Sequence, residues 1–200
     1  MQYLLVLSRL IDAFSERLGK LIYWLVLLAV LISAGNAVVR KTLNIGSNAF
    51  LEIQWYLFSA VFLLGAGFVF MKNAHVRIDF LSNRFSPKVR NLIDITGILL
   101  ILWPFCVVFI DLSWPLFTGA WASGEMSQNA GGLIRWPVYL MMPLGFGLLL
   151  LQSVSELIKR FAFLAGMIPD PIGHNPHAPE EDVLSYEIEE HAGRAREEKR

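Results

Sequence analysis

Only one cysteine, Cys106, occurs in the 200 residues, and only 17% of the residues are charged. A single thiol excludes a disulfide framework and, within one chain, a thiolate metal cluster. Four stretches lack Asp, Glu, Lys, Arg and His altogether: residues 21–39, 53–71, 95–110 and 136–155. No basic stripe is present for a nucleic acid to follow, so no nucleic-acid partner is expected. Histidine is scarce too, with four in the chain. A haem-binding membrane bundle ligates iron between histidines on facing helices. Here His75 lies between the second and third uncharged stretches, and His174, His177 and His191 lie near the carboxyl end. No pair can therefore face across an apolar interior. The His174 and His177 spacing offers at most a weak metal site in a polar tail, so no cofactor, metal or catalytic group is expected.

What the chain has in quantity is apolar surface. Hydrophobic residues make up 55% of it and the mean hydropathy is +0.51, more than a soluble domain of this size can bury. The two 19-residue stretches span about 28 Å as helices, close to the roughly 30 Å hydrocarbon core of a bilayer. The third is shorter and gains length by taking in Asp94 and Asp111 at its interfaces, where a carboxylate still reaches water. The predicted fold is an all-α, integral membrane four-helix protein with spans near residues 21–39, 53–71, 94–111 and 136–155. Basic residues are retained in the cytoplasm. Arg9, Arg17 and Lys20, then Lys72, Arg77, Arg84, Lys88 and Arg90, then Lys159 and Arg160 fall on one side; Arg40, Lys41 and Arg135 fall on the other. That imbalance places both termini inside. Trp24, Trp55 and Trp136 sit near span ends, as interfacial aromatics do, whereas Trp103 falls mid-span.

The amino-terminal arm carries Leu4, Leu7, Ile11, Phe14 and Leu18 at helical spacing, with Arg9, Asp12, Glu16 and Arg17 between them. It reads as an amphipathic helix lying along the cytoplasmic interface; the alternative is a simple continuation of the first span into water. The arm with its apolar run suits a signal anchor better than a cleaved signal peptide, because the run is longer than an h-region. Residues 112–135 read as a long outer connection with Trp114, Phe117 and Trp121 touching membrane or protein. Residues 1–168 form the expected membrane domain. Residues 169–200 hold 9 of the 17 acids and four early prolines, and read as a cytoplasmic, largely disordered tail.

Ion-coupled carriers place an ionisable group or a broken helix near the bilayer midplane. In this sequence Glu52, Asp94, Asp111 and Glu156 all lie at run boundaries, and the polar groups inside the spans are mild: Ser33, Asn36, Ser59, Thr96 and Gln152 suit hydrogen bonds between helices. Pro104 and Pro143 are candidates for kinks, and Gly145 with Gly147 for a loosened turn. Past the second span, residues 72–81 alternate charged and apolar side chains, which disfavours a simple amphipathic helix. The segment is either an inside loop anchored by headgroups or an ordered cytoplasmic turn in which Arg77 and Asp79 pair with one another or with a partner subunit.

That segment also carries a resemblance. Glu52-Ile-Gln-Trp-Tyr-Leu-Phe, then Gly65-Ala-Gly-Phe, then Asn73-Ala-His-Val-Arg-Ile-Asp79 form one motif; Gly131-Gly-Leu-Ile-Arg-Trp-Pro-Val-Tyr139, Pro143-Leu-Gly-Phe146 and Leu149-Leu-Leu-Gln152 form the other. In this order the chain resembles the small membrane subunit of tripartite ATP-independent periplasmic (TRAP) transporters, the DctQ-like family, over residues 10–160. The resemblance implies a non-enzymatic scaffold subunit in a bacterial inner membrane. Its implied partners are a large multispanning permease subunit, which carries an organic acid with sodium, a periplasmic solute-binding protein, which delivers it, and the lipid bilayer; direct contact with substrate is not implied. The second motif is most similar to branches for mannitol, chloroaromatic or 2-oxo acid compounds, with C4-dicarboxylates the family default. Glu52, Arg135 and Trp136 are the candidate interface with the permease or binding protein, headgroup contact being the alternative, and His75, Arg77 and Asp79 the candidate anchor of the cytoplasmic turn. The rival reading is a membrane anchor for a redox or signalling complex.

Overall fold

The computed structural model describes residues 2–44, 46–73 and 85–171. Its four long helices are α1 (Gln2–Leu43), α2 (Asn48–Met71), α3 (Pro87–Ser123) and α4 (Trp136–Leu164), of 42, 24, 37 and 29 residues. Each is long and apolar enough to cross a bilayer. The chain is thus an all-helical, multi-pass membrane protein. Among the described residues the only β pairing is an isolated antiparallel bridge between Met126 and Ile134.

Helix α4 packs against each of the other three; α1 and α2 pack on each other and on it, while α3 joins chiefly through α4. Backbones come close where side chains are absent. A Cβ placed on Gly145 of α4 would stand 2.7 Å from the Leu63 carbonyl oxygen of α2. Between helices in lipid, where water does not drive apolar surfaces together, such small-residue contacts supply the van der Waals packing. Burial accordingly runs opposite to that of a soluble protein. Gln152, Ser153, Ser155, Glu156 and Arg160 are buried, while Trp55, Phe58, Phe62, Leu100 and Ile101 point outward.

The helices overrun the predicted spans, each for a local reason. The arm and first span form one helix, with no boundary where a separate interfacial helix was expected. At ~1.5 Å per residue, α1 is about twice as long as the hydrocarbon core is thick. Its buried face is Ser8, Ile11, Ser15, Gly19 and Ile22, whereas Leu4, Leu7 and Phe14 of the expected apolar stripe are exposed. In α3 the expected kink at Pro104 takes the form of a π turn, Ile98–Leu102, between α-helical parts Pro87–Gly97 and Trp103–Ser123. The Trp103 N–H reaches back to the Ile98 carbonyl. Pro104 has no N–H and its ring crowds the carbonyl four residues earlier, so a wider turn relieves both defects. Half of the expected outer connection is also helical, up to Gly124 with φ of 65°. Trp114, Phe117 and Trp121 recur at helical spacing there, and the Trp121 ring meets that of Trp136 at 4.5 Å, which gives this extension something to pack on.

His75, Arg77 and Asp79 lie outside the described residues, as do residues 172–200 of the tail.

Candidate functional site

Polar chemistry collects at the two ends of the bundle, one marked by Glu52 and the other by Asp12. At the Glu52 end, residues 124–135 fold back over the start of α2. Glu52 stands in the first turns of α2, one residue outside the uncharged run. Its Oε2 accepts the Leu133 N–H at 2.7 Å; its Oε1 accepts Asn129 Nδ2 at 2.8 Å and the Ser127 hydroxyl. These bonds, the Leu133 N–H foremost, then Ser127 and Asn129, hold its carboxyl below the usual carboxylate range. A Cβ on Gly132 would lie 2.8 Å from Glu52 Oε1, so only glycine lets the loop come this close. Two further clasps come from α2: Asn48 Nδ2 donates to the Ala130 carbonyl at 3.0 Å, and Tyr56 Oη to the Ile134 carbonyl at 2.9 Å.

Arg135 caps the amino end of α4. Its Nη1 meets Glu125 Oε1 at 3.1 Å and Tyr139 Oη at 3.3 Å, and the Glu125 carboxylate, then Tyr139, raise its already high pKa. Trp136 closes an aromatic cluster with Trp121 at 4.5 Å and Phe117 at 6.5 Å. The three sequence-predicted residues of this end thus share one small structure, in which Glu52 and Arg135 are both spent on holding the loop.

The Asp12 end holds a network that span boundaries alone do not announce. There, five charged side chains alternate in sign from α1 through α4 to α3. Asp12 Oδ2 meets Lys159 Nζ at 3.2 Å; Lys159 meets Glu156; Glu156 meets Arg160; and Arg160 Nη2 meets Asp94 Oδ2 at 3.1 Å. The middle of the chain is the driest part, with the Glu156 and Arg160 side chains 2% and 1% exposed. Three carboxylates face two cations, so the set is net acidic. Neutral groups brace it: Asp12 Oδ1 accepts Gln152 Nε2 at 2.8 Å and Ser155 Oγ at 2.7 Å. Ser15 Oγ donates to Gln152 Oε1 at 2.6 Å, and the Ser8 and Ser155 hydroxyls lie 2.7 Å apart. Farther along α4, Trp103 Nε1 donates to Ser153 Oγ at 2.9 Å, which explains a tryptophan at mid-span. Beyond α4, Asp170 is held by Arg90 Nη2 at 2.7 Å and Asn91 Nδ2 at 2.9 Å.

A signal for this network was present in the sequence. Gln152, Ser155, Glu156, Lys159 and Arg160 fall at offsets of three and four, one polar stripe along a helix. Read as span-end residues, Asp94 and Glu156 concealed their pairing with Arg160. Of the polar residues inside the spans, Gln152 bonds between helices as expected, whereas Thr96 Oγ1 bonds back to the Leu92 carbonyl of its own helix.

The paired carboxylates and cations of these two ends are taken up within the same chain, an arrangement that holds helices and loops in register. The chain is thus a multi-pass membrane protein whose ionic contacts gather at the two ends of its helix bundle. The family model for tripartite ATP-independent periplasmic transporters, DctQ component, matches residues 29–163, and the chain belongs to that family. The family is a transporter component and not an enzyme family. No curated protein and no solved structure matches the chain.

Proposed function

We propose that this chain is the small scaffold subunit of a TRAP transporter, bracing a large permease subunit that takes up an organic acid with sodium after a periplasmic binding protein delivers it. The observation that carries this reading is the family match over residues 29–163, and the concentration of ionic contacts at the bundle ends agrees with it. Binding at mid-depth requires polar groups aimed at a ligand there; the ion pairs described above join the chain's own helices and loops at the two ends of the bundle. Both termini are assigned to the cytoplasmic side by the lysine and arginine count, so the Asp12 end faces the cytoplasm and the Glu52 end the periplasm. On that assignment, Glu52 builds the loop surface that a permease or docked binding protein meets, with Arg135 and Trp136 at its base. His75, Arg77 and Asp79 anchor the cytoplasmic turn.

Coexpression with the large membrane subunit of the same transporter tests the reading. The chain copurifies with that subunit in detergent, and sodium-driven uptake in liposomes requires both together with the binding protein. Uptake by this chain alone, or a haem absorbance band in the pure protein, would overturn it.

A further inference from the structure

Helix α1 is deeply buried along only half of its length, and beyond Ile22 its Leu25, Ala29, Ile32 and Asn36 are half-buried at most. Its buried residues end at Ile22; here α1 meets α2, with the Tyr23 and Phe68 rings edge to face at 6.3 Å and the Ile22 side chain 3.6 Å from where a Gly65 Cβ would stand. Toward the Glu52 end the two helices leave a groove of about 760 Å³, lined by Ala29 and Ser33 of α1 and by Gln54, Trp55, Phe58 and Ser59 of α2. From Tyr23 to Leu43 no residue of α1 is buried.

Lipid alone suits this groove poorly. Ser33 and Ser59 each lie three residues to the Glu52 side of the centre of their uncharged runs, Val30 and Phe62, so the two hydroxyls share a depth. Neither hydroxyl, nor the Gln54 carboxamide, has a hydrogen-bond partner among the described residues, whereas Thr96, Ser113 and Thr118 all bond back to their own helix. An acyl chain offers no acceptor, whereas a neighbouring helix does. Ala29 and Ser33, four residues apart, form a small-residue ridge that lets a backbone approach closely. Trp55 and Phe58, 75% and 69% exposed, stand beside it as large apolar surface with nothing of their own chain on top.

We infer that the groove between the Glu52-end halves of α1 and α2 seats a transmembrane helix of the large permease subunit, which supplies hydrogen-bond partners to Ser33 and Ser59. This rests on the function proposed above. The incoming helix completes a packing surface that α1 lacks within its own chain and ties the amino-terminal span to the partner, while the polar stripe of α4 ties the other half of α1 to the bundle.

Photo-crosslinking in native membranes containing both subunits tests it. Benzoylphenylalanine in place of Val30 or Phe58 should give an adduct with the large subunit; the same probe in place of Leu100, 71% exposed on α3, should not. A second arm fills the groove. Ser33→Trp places its ring where no residue of this chain packs, so the chain still folds, and copurified large subunit should fall about tenfold or more. Leu100→Trp should leave that yield unchanged. Adducts from position 100 and not from the groove, adducts with phospholipid only, dimers of this chain only, or an unchanged yield for Ser33→Trp would each overturn the inference. If the unaltered chain copurifies with the large subunit while the groove probes fail, this inference alone falls; if the unaltered chain copurifies with no large subunit, the proposed function falls too.

Discussion

Replacing Arg160 by methionine removes the cation that links α4 to α3 and leaves Glu156 facing a dry interior and Asp94 at its edge. The methionine keeps most of the apolar volume, so the loss is chiefly one of charge. Removing one partner from a buried ion pair costs about 3–5 kcal/mol, because the remaining charge is desolvated without compensation. Two features of the structure place Arg160→Met near the lower bound. Glu156 retains Lys159 on its other oxygen, and Asp94 is 23% exposed, so water shares part of its charge. A loss of about 3 kcal/mol is roughly a hundredfold in the unfolding constant. The assay is reversible unfolding by sodium dodecyl sulfate in mixed micelles, followed by tryptophan fluorescence, with Trp103 reporting from its bond to Ser153. Adding Glu156→Gln to Arg160→Met removes both buried charges and should recover at least half of the loss, since matched removal is far cheaper than orphaning one member. The reasoning is refuted if Arg160→Met costs less than about 1 kcal/mol, the range of an exposed surface pair, or if the double variant is no more stable than Arg160→Met alone.

Further outcomes are expected at the Glu52 end and at the α2–α4 crossing. Glu52→Gln should free residues 125–135 from α2, seen as faster proteolysis of that loop. The wild-type clasp, resting on a carboxyl whose pKa is lowered by folding, is at full strength above the ordinary glutamate range and weakens as pH falls below about 4.3; the same proteolysis should therefore accelerate on acidification in the wild type and not in Glu52→Gln. At the helix crossing, Gly145→Ala pushes against the Leu63 backbone and should cost about 1–3 kcal/mol in the detergent unfolding assay. Gly147→Ala, with nothing within 4 Å of the added carbon, should be neutral or stabilising by up to about 1 kcal/mol; equal effects at the two positions would show that the close α2–α4 approach does not limit stability.

The legible part of the fold was the part set by local chemistry. Four uncharged stretches announced four spans, and Glu52, Arg135 and Trp136 marked an end of the bundle where the structure places them together. Helix ends were less legible. Leu112 to Ser123 reads as a connection because it follows Asp111 and contains Pro115, yet it is helical, with Trp121 edge to face against Trp136, and that contact joins residues on two helices. The arm misled in a similar way. Leu4, Leu7 and Phe14 form the more obvious stripe, while the face that packs on α4 carries Ser8 and Ser15, whose value depends on Gln152 and Ser155 lying opposite.

From the sequence alone came the solvent of this protein and its architecture: transfer from water to hydrocarbon is summed residue by residue along the chain, so runs without charge report the bilayer directly. Only the tertiary structure decided which polar groups meet. Asp12 with Lys159, Glu156 with Arg160 and Arg160 with Asp94 depend on the rotation and axial offset of α1, α3 and α4 against one another, and those are properties of packed helices that no single helix encodes.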